Sequence, residues 1–237
     1  MDIKIYDRLA KKYDLATKVV SFGIEELWRW MFVKNIKKII KNGSLIDVAS
    51  ATGEMAKSLD FDEMYLIEPS SEMNKIAIKK FLKKNCTLEI DEKRYKITCA
   101  NKKVVIIQST AEEFELDKKV DLITAFMALR NFDDLKKGIE NLDSHLKEGG
   151  YFAVVEMVKS ESLFAKLIMW YMNKIVPYIA GVLVGMKEEY KLLGESIDSL
   201  KEEDILKNFK NYKIIKRQKL IFPIATMIIM RKNGKDT

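Results

Sequence analysis

The chain has 237 residues, 48% hydrophobic and 32% charged, a composition that excludes whole-chain disorder, collagen and coiled coil. Two cysteines exclude a disulfide-framework domain and a multi-cysteine zinc module, and a single histidine, His145, argues against a His-rich metal site and a Ser-His-Asp triad. The net charge of +7 is carried mostly by lysine, with no arginine-rich stretch interleaved with aromatics, so nucleic acid is disfavoured; a solvated surface or an anionic membrane surface remains.

Met1-Asp2-Ile3-Lys4 runs straight into polar sequence without an apolar core of a signal peptide, so a cytoplasmic protein is expected. Residues 1–42 read as helices: Trp28, Met31, Phe32, Ile36 and Ile39 recur at helical spacing after Ser21-Phe22-Gly23. Residues 44–49 read as a buried strand, 54–59 as a helix and 64–68 as a second strand ending in Glu68. A helix follows Pro69 and runs to about residue 83, with Ser70 or Ser71 as its cap.

Residues 86–90 and 95–99 alternate apolar and polar and predict a β-hairpin turning at Glu92-Lys93, inserted over about 86–99. Its register sets Cys86 opposite Cys99. The expectation is two reduced, buried thiols, with a cross-strand disulfide as the alternative. Strands at 104–107, 120–126 and 151–157 come next, with a helix at 135–146 stopped by Lys147-Glu148-Gly149-Gly150. Strands alternating with helices imply an α/β, Rossmann-like, mostly parallel sheet. Residues 212–215 and 220–230 read as a terminal antiparallel pair. The whole of 1–237 is expected to form one domain.

Residues 163–186 are strongly apolar, yet they contain Lys166, Asn173, Lys174 and Pro177. Two central lysines cost roughly 3 kcal/mol each in a bilayer, which argues against a spanning helix and for a helical cover or a surface-lying pair.

Chemistry gathers at the strand ends. Asp47-Val48-Ala49-Ser50-Ala51-Thr52-Gly53-Glu54 is a strand-to-helix turn of small residues, and Glu68 ends the next strand about 20 residues on, the place for an acid that binds a ribose diol. The turn lacks both GxGxxG and the Walker pattern, which disfavours a nicotinamide cofactor and a nucleoside triphosphate. No metal site is expected.

Several further segments complete a pattern: Tyr6-Asp7-Arg8 to Tyr13-Asp14; Ser21-Phe22-Gly23-Ile24 with Leu27-Trp28-Arg29; Glu68-Pro69-Ser70 to Met73; Leu129-Arg130-Asn131 with Asp134; Leu146-Lys147-Glu148-Gly149-Gly150; Glu156; and Tyr190 with Leu193 and Glu195-Ser196-Ile197. On these residues the chain resembles the UbiE/MenG family of S-adenosylmethionine (SAM)-dependent methyltransferases of quinone biosynthesis. It departs from the pattern at Glu25 (for His), Ala51 (for Gly), Thr110 (for Asp or Asn) and Met127-Ala128 (for Phe-Gly).

The resemblance implies a class I methyltransferase fold with a seven-stranded sheet, a terminal antiparallel pair and an apolar helical lid over about 162–197. SAM is the implied cofactor. Asp47, Ala49, Thr52 and Gly53 would face its methionine part, Glu68 its ribose, and Thr110 and Ala111 its adenine, with Phe126 at the strand edge. Ala51 and Thr110 predict weaker SAM binding. Arg130 and Tyr13 are the implied catalytic residues, and Tyr6, Asn131 and Tyr190 the acceptor contacts; a salt bridge to Asp133 or Asp134 is the structural alternative for Arg130.

The implied reaction is methylation of a ring carbon of a prenylated quinol, foremost demethylmenaquinol. The alternatives are another lipid-like or modified naphthoquinone acceptor, or a non-catalytic partner of a quinone-pathway complex. Lid residues Leu167, Ile168, Trp170, Tyr171, Ile175, Val176, Ile179, Val182, Leu183 and Val184 would wall a channel for the prenyl tail, with a plain helical cover as the alternative. Peripheral contact with an anionic membrane is implied, and a homodimer is left open.

Overall fold

Every side chain of the first strand, β1 (Ser44–Val48), is buried, which requires cover on both faces of the sheet. In the computed structural model, which describes residues 3–159, 163–184, 200–220 and 225–234, helices supply that cover. β1 runs parallel to β2 (Glu63–Ile67) on one side and to β6 (Val120–Phe126) on the other. Beyond β2 lies β5 (Lys102–Ile107), and beyond β6 lies β7 (Leu146–Met157), both parallel. β9 (Ala225–Lys232) pairs antiparallel with β7, and β8 (Tyr212–Lys219) antiparallel with β9.

Side chains alternate between two cores with the period of a strand. Leu45, Met64, Leu66, Leu122 and Val155 enter one core, with Trp28 and Phe32 of α3 (Ile24–Ile36), Met55 of α4 (Glu54–Leu59) and Ala77 of α5 (Ser71–Phe81). Ile46, Tyr65, Ile67, Ile123 and Val154 enter the other, with Leu142 of α6 (Leu135–Ser144) and Ile205 of α9 (Glu202–Leu206).

A third, smaller cluster joins α1 (Ile3–Leu9) and α2 (Tyr13–Val20) to α5 and to Val176 of α8 (Val176–Val184). Ser70 caps α5, accepting from the Met73 N–H at 3.2 Å, and its own hydroxyl donates to Asp7 at 2.6 Å, tying α1 to α5. The chain builds outward from β1 through β2 to β5 and then returns to lay β6 against the far side of β1. That reversal opens a crevice outside the carboxyl ends of β1 and β6.

Three expectations need correction. The sheet has nine strands, in the order β3-β4-β5-β2-β1-β6-β7-β9-β8, rather than seven. The hairpin of β3 (Cys86–Asp91) and β4 (Arg94–Cys99) does not stand apart: β4 pairs along its whole length with β5 and extends the sheet. Next, Cys86 and Cys99 form a disulfide instead of two reduced thiols, and both are half-buried. They face each other across the antiparallel pair with Cα atoms 4.3 Å apart, within bonding reach. Finally, β7 begins at Leu146, because the two glycines form an irregular start to the strand, Gly149 at φ +74°, instead of a stop.

The disulfide closes a short loop, and cross-linking of this kind stabilises by about 3 kcal/mol. Cys99→Ala is expected to lower the unfolding free energy by about 2–3 kcal/mol in urea. Reductant is expected to do the same to the wild type and nothing further to the variant.

Candidate active site

The turn after β1 bends through three residues with positive φ: Ala49 at +48°, Ala51 at +46° and Gly53 at +80°. Gly53 has no room for a side chain, since a Cβ would lie 2.8 Å from a ring carbon of Phe81. Ala51 carries its methyl in the left-handed region at a cost of roughly 1–2 kcal/mol. In return its N–H donates to Glu68 Oε2 at 2.9 Å, while the Ser70 N–H donates to Oε1 at 2.9 Å. Glu68 is 4% exposed, and burial pushes its carboxyl up to about 7 despite these two bonds.

Asp47, at the end of β1, is 1% exposed and is also pushed up to about 7 by burial. It accepts from the Thr124 hydroxyl at 2.8 Å and the Ala56 N–H at 3.2 Å. The Thr52 hydroxyl points into an ion network. It donates to Asp14 at 2.6 Å and accepts from Lys80 at 2.7 Å, and Lys80 also reaches Glu54 at 2.7 Å.

The opposite side is built on β6 and β7. A single turn, Leu129–Asn131, carries Arg130, whose guanidinium pairs with the fully buried Glu156 near the end of β7. The structural alternative, a bridge to Asp133 or Asp134, is not what holds Arg130; Asp134 instead caps α6 through the Lys137 N–H at 3.0 Å. Burial works against the charge on Arg130, but the adjacent Glu156 carboxylate outweighs it and raises its pKa. Asn131 hydrogen-bonds the Tyr6 phenol, which burial pushes upward while Arg130 opposes the shift.

These elements surround a cavity of about 720 Å³. Asp47, Ala49, Ala51, Thr52 and Glu68 line one side; Phe126, Met127, Arg130 and Asn131 line another; Tyr6 and Tyr13 come from the N-terminal helices. A narrow cleft beside it is lined by Thr110 and Ala111 and shares Ala49 and Asn131 with the larger space. Gly53 sits under the turn, outside the cavity wall. Tyr190, with Glu195-Ser196-Ile197, lies outside the described residues.

In the lid, α7 (Leu163–Lys174) contributes Ile168 and Tyr171 to the cavity, whereas Leu167, Trp170 and Val182 face solvent and wall no channel. Three lining residues, Ser50, Arg130 and Tyr171, each hold a buried polar atom with no hydrogen-bond partner among the described residues: Oγ, Nε and the phenolic oxygen. His145 packs on Phe114, with 4.6 Å between ring centroids, away from the cavity.

Sequence reasoning missed two pairings. Glu156 was matched in a motif but given no partner, although an acid ending a strand at the carboxyl edge is the same signal that marks Glu68. The pair of Glu25 and Arg29, 3.1 Å apart on the cavity wall, was seen only as a departure from a pattern; burial raises the Glu25 carboxyl.

A cofactor with a ribose and a cationic amino-acid end fits these residues. Glu68 keeps free lone pairs beside the narrow cleft, Asp47 is buried with few partners, and the unpartnered Ser50 hydroxyl lies in the turn between them. Sheet order, strand reversal and this acid-flanked turn together define the class: a SAM-dependent methyltransferase with a Rossmann-like fold. A crystal structure of a SAM-dependent methyltransferase from Thermotoga maritima shares the fold, with a TM-score of 0.63 over 97% of this chain and 99% of that one, at 16% identity.

The chain belongs to the ubiE/COQ5 methyltransferase family, whose sequence profile matches residues 3–227. It is 30% identical over 207 residues to the Ubiquinone/menaquinone biosynthesis C-methyltransferase UbiE of Rickettsia akari, covering 84% of this chain and 78% of that protein. The UbiE of Campylobacter jejuni is 24% identical over 247 residues, covering 97% of each chain.

The turn yields a direct test. Ala51→Gly removes the left-handed strain, and the added freedom of the unfolded chain offsets part of the gain. A net stabilisation of about 0.5–1 kcal/mol is expected in urea unfolding, together with tighter SAM binding by calorimetry.

Proposed function

We propose that this enzyme methylates a ring carbon of a prenylated quinol, with demethylmenaquinol as the acceptor and menaquinol as the product. The observation that carries the reading is a buried cation on the cavity wall, beside Phe126, Met127, Tyr6 and Tyr13. Arg130 lines the cavity, is held charged by Glu156 and keeps a buried Nε–H without a partner. The names of the relatives from Rickettsia akari and Campylobacter jejuni, which pair C-methylation with ubiquinone and menaquinone biosynthesis, support the same class of acceptor.

SAM supplies an electrophilic methyl group on a sulfonium centre. Glu68 binds the ribose hydroxyls, Asp47 and the backbone of residues 49–53 bind the methionine end, and the cleft at Thr110 and Ala111 takes the adenine. A hydroquinone ring is most nucleophilic when one phenol has lost its proton. Arg130 stabilises that phenolate, and the low polarity around it strengthens the attraction. The ring carbon takes the methyl group and sheds its own proton as aromaticity returns. Asn131 fixes Tyr6, and Tyr6 and Tyr13 orient the ring beside Arg130.

Removing Arg130 alone leaves Glu156 buried and unpaired, which destabilises by about 3–5 kcal/mol. The neutral double variant Arg130→Gln/Glu156→Gln avoids this. Its kcat is expected to fall about 10²–10³-fold, with SAM affinity within about threefold of wild type. A panel of reduced quinols assayed by mass spectrometry tests the acceptor. Selection of a naphthoquinol other than demethylmenaquinol would move the assignment to that ring, and no transfer to any quinol would favour the non-catalytic reading.

The two raised carboxyls give a pH signature. Contacts to ribose hydroxyls and to a cationic amine need ionised carboxylates, so SAM affinity is expected to fall as pH drops through about 7. The loss is about tenfold per pH unit for each proton that binding must displace. Without ligand the sign reverses. Folding raises both groups above their ordinary values of 3.8 and 4.5, so their contribution to stability is complete below that range and is lost as pH rises through about 7. Calorimetry between about pH 8 and about pH 6 checks the first claim, and thermal unfolding of the unliganded protein checks the second.

A further inference from the structure

We propose that Glu25 is the proton acceptor of the reaction: its carboxylate takes the phenolic proton of the acceptor, so that Arg130 meets a phenolate. This rests on the proposed function, which gives the acceptor an ionisable hydroxyl. Arg130 cannot take that proton itself, because a guanidinium has donors and no acceptor. Tyr6 and Tyr171 stay protonated, since burial pushes both phenols up. The base is therefore sought among the acids on the cavity wall.

Those acids have different commitments. Asp47 and Glu68 serve the turn after β1 and the cofactor. Asp14 and Glu54 both hold Lys80, at 2.5 and 2.7 Å. Glu26 pairs with Lys18 at 3.1 Å, with its side chain 39% exposed. Glu25 differs from all five. Its side chain is 18% exposed, and Oε1 meets Arg29 Nη1 at 3.1 Å, a partner one turn along its own helix. α3 also aims it well. Glu25, Trp28 and Phe32 follow at helical spacing on one face. The Phe32 ring lies 5.9 Å from that of Phe126 at the end of β6, and the next residue, Met127, places its sulfur 3.7 Å from Arg130 Nη1. Glu25 and Arg130 thus approach one space from α3 and from the end of β6, and both line it.

The surroundings tune the group. Burial raises the Glu25 carboxyl, Arg29 opposes the rise, and the charges of Glu26, Asp14 and Glu54 add to it. Lys18 and Lys80 are taken up by Glu26 and by Asp14 with Glu54. A raised carboxylate is the stronger base toward a phenol. In the step itself the phenol O–H bond breaks, its proton goes to Glu25 and its electron pair stays on the oxygen beside Arg130. The ring carbon ortho to that oxygen takes the methyl group, and the pair of the broken C–S bond stays with sulfur. That carbon then sheds its own hydrogen as a proton to water, and the oxygen takes back the proton from Glu25. One proton is released for each methyl group transferred.

Glu25→Gln keeps the shape and removes the base. With SAM saturating, its kcat is expected to fall about 10²-fold, with SAM affinity within about threefold of wild type. The wild-type kcat is expected to drop as pH falls through the Glu25 carboxyl, and that limb to vanish in the variant. The deficit is expected to shrink for a quinol whose phenol is acidic enough to be ionised at the assay pH. Glu25→His, which puts another base in the same place, is expected to recover at least about tenfold of the loss. A Glu25 that only held Arg29 would lower every acceptor equally and gain nothing from histidine. A Gln variant with wild-type kcat, or a loss independent of both pH and phenol acidity, overturns the proposal and leaves the proposed function standing. A wild type that methylates no quinol overturns both.

Discussion

Four ionisable groups are buried at the carboxyl edge of one sheet, and the arrangement around them follows from what burial demands. Asp47, Glu68 and Glu156 are acids, and Arg130 is the only cation among the four. Glu156 and Arg130 satisfy each other. Asp47 and Glu68 have only neutral hydrogen-bond donors, which are too weak to keep a buried carboxylate at its ordinary pKa. A site with surplus negative charge is prepared for a cationic guest. On the proposed assignment the acids act on the amine and the ribose of the cofactor, groups that methyl transfer leaves unchanged.

The strained turn belongs to the same logic. Positive φ at Ala49 and Ala51 aims an N–H at Glu68 and brings the backbone to the cavity wall. The strain is tolerated because the turn is held from several sides. Gly53 packs beneath it against Phe81, and Thr52 is fixed by Asp14 and Lys80. Asp14 comes from α2, so the N-terminal helices are coupled to the turn as well as roofing the cavity. A change in α2 is thereby felt at the strand end where the cofactor would lie.

Much of this is legible in the sequence, for identifiable reasons. Short buried runs such as residues 44–48 admit few alternatives once helices alternate with them, and the acids Asp47, Glu68 and Glu156 near the ends of three strands mark the carboxyl edge. The hairpin register is readable because period-two alternation pairs Leu88 with Ile97 and Cys86 with Cys99. What hides is whatever depends on tertiary partners. Whether β4 joins β5 is settled by contacts such as Tyr95 with Ile106, which no local pattern announces. A reducing compartment favours free thiols, but Cys86 and Cys99 face each other across the antiparallel pair and are joined. The sequence offers Arg130 either a functional role or a bridge to the neighbouring Asp133 or Asp134, whereas its partner, Glu156, is 26 residues away on the next strand. A lid helix that is apolar all round does not reveal in its sequence which stripe faces inward.

That ambiguity carries physical content. A helix needs only one apolar stripe to cover a cavity, as Ile168 and Tyr171 do. A second stripe that stays in water is unfavourable for a protein living wholly in solution, since each large side chain left exposed forgoes about 1.5–3 kcal/mol of burial. The cavity floor is polar and charged, and its mouth is apolar and flanked by lysines. The two halves differ in chemistry: the floor holds the buried acids and the Arg130–Glu156 pair, and the mouth carries exposed apolar side chains such as Leu15 and Phe22. One short segment, the described lid at residues 163–184, faces both.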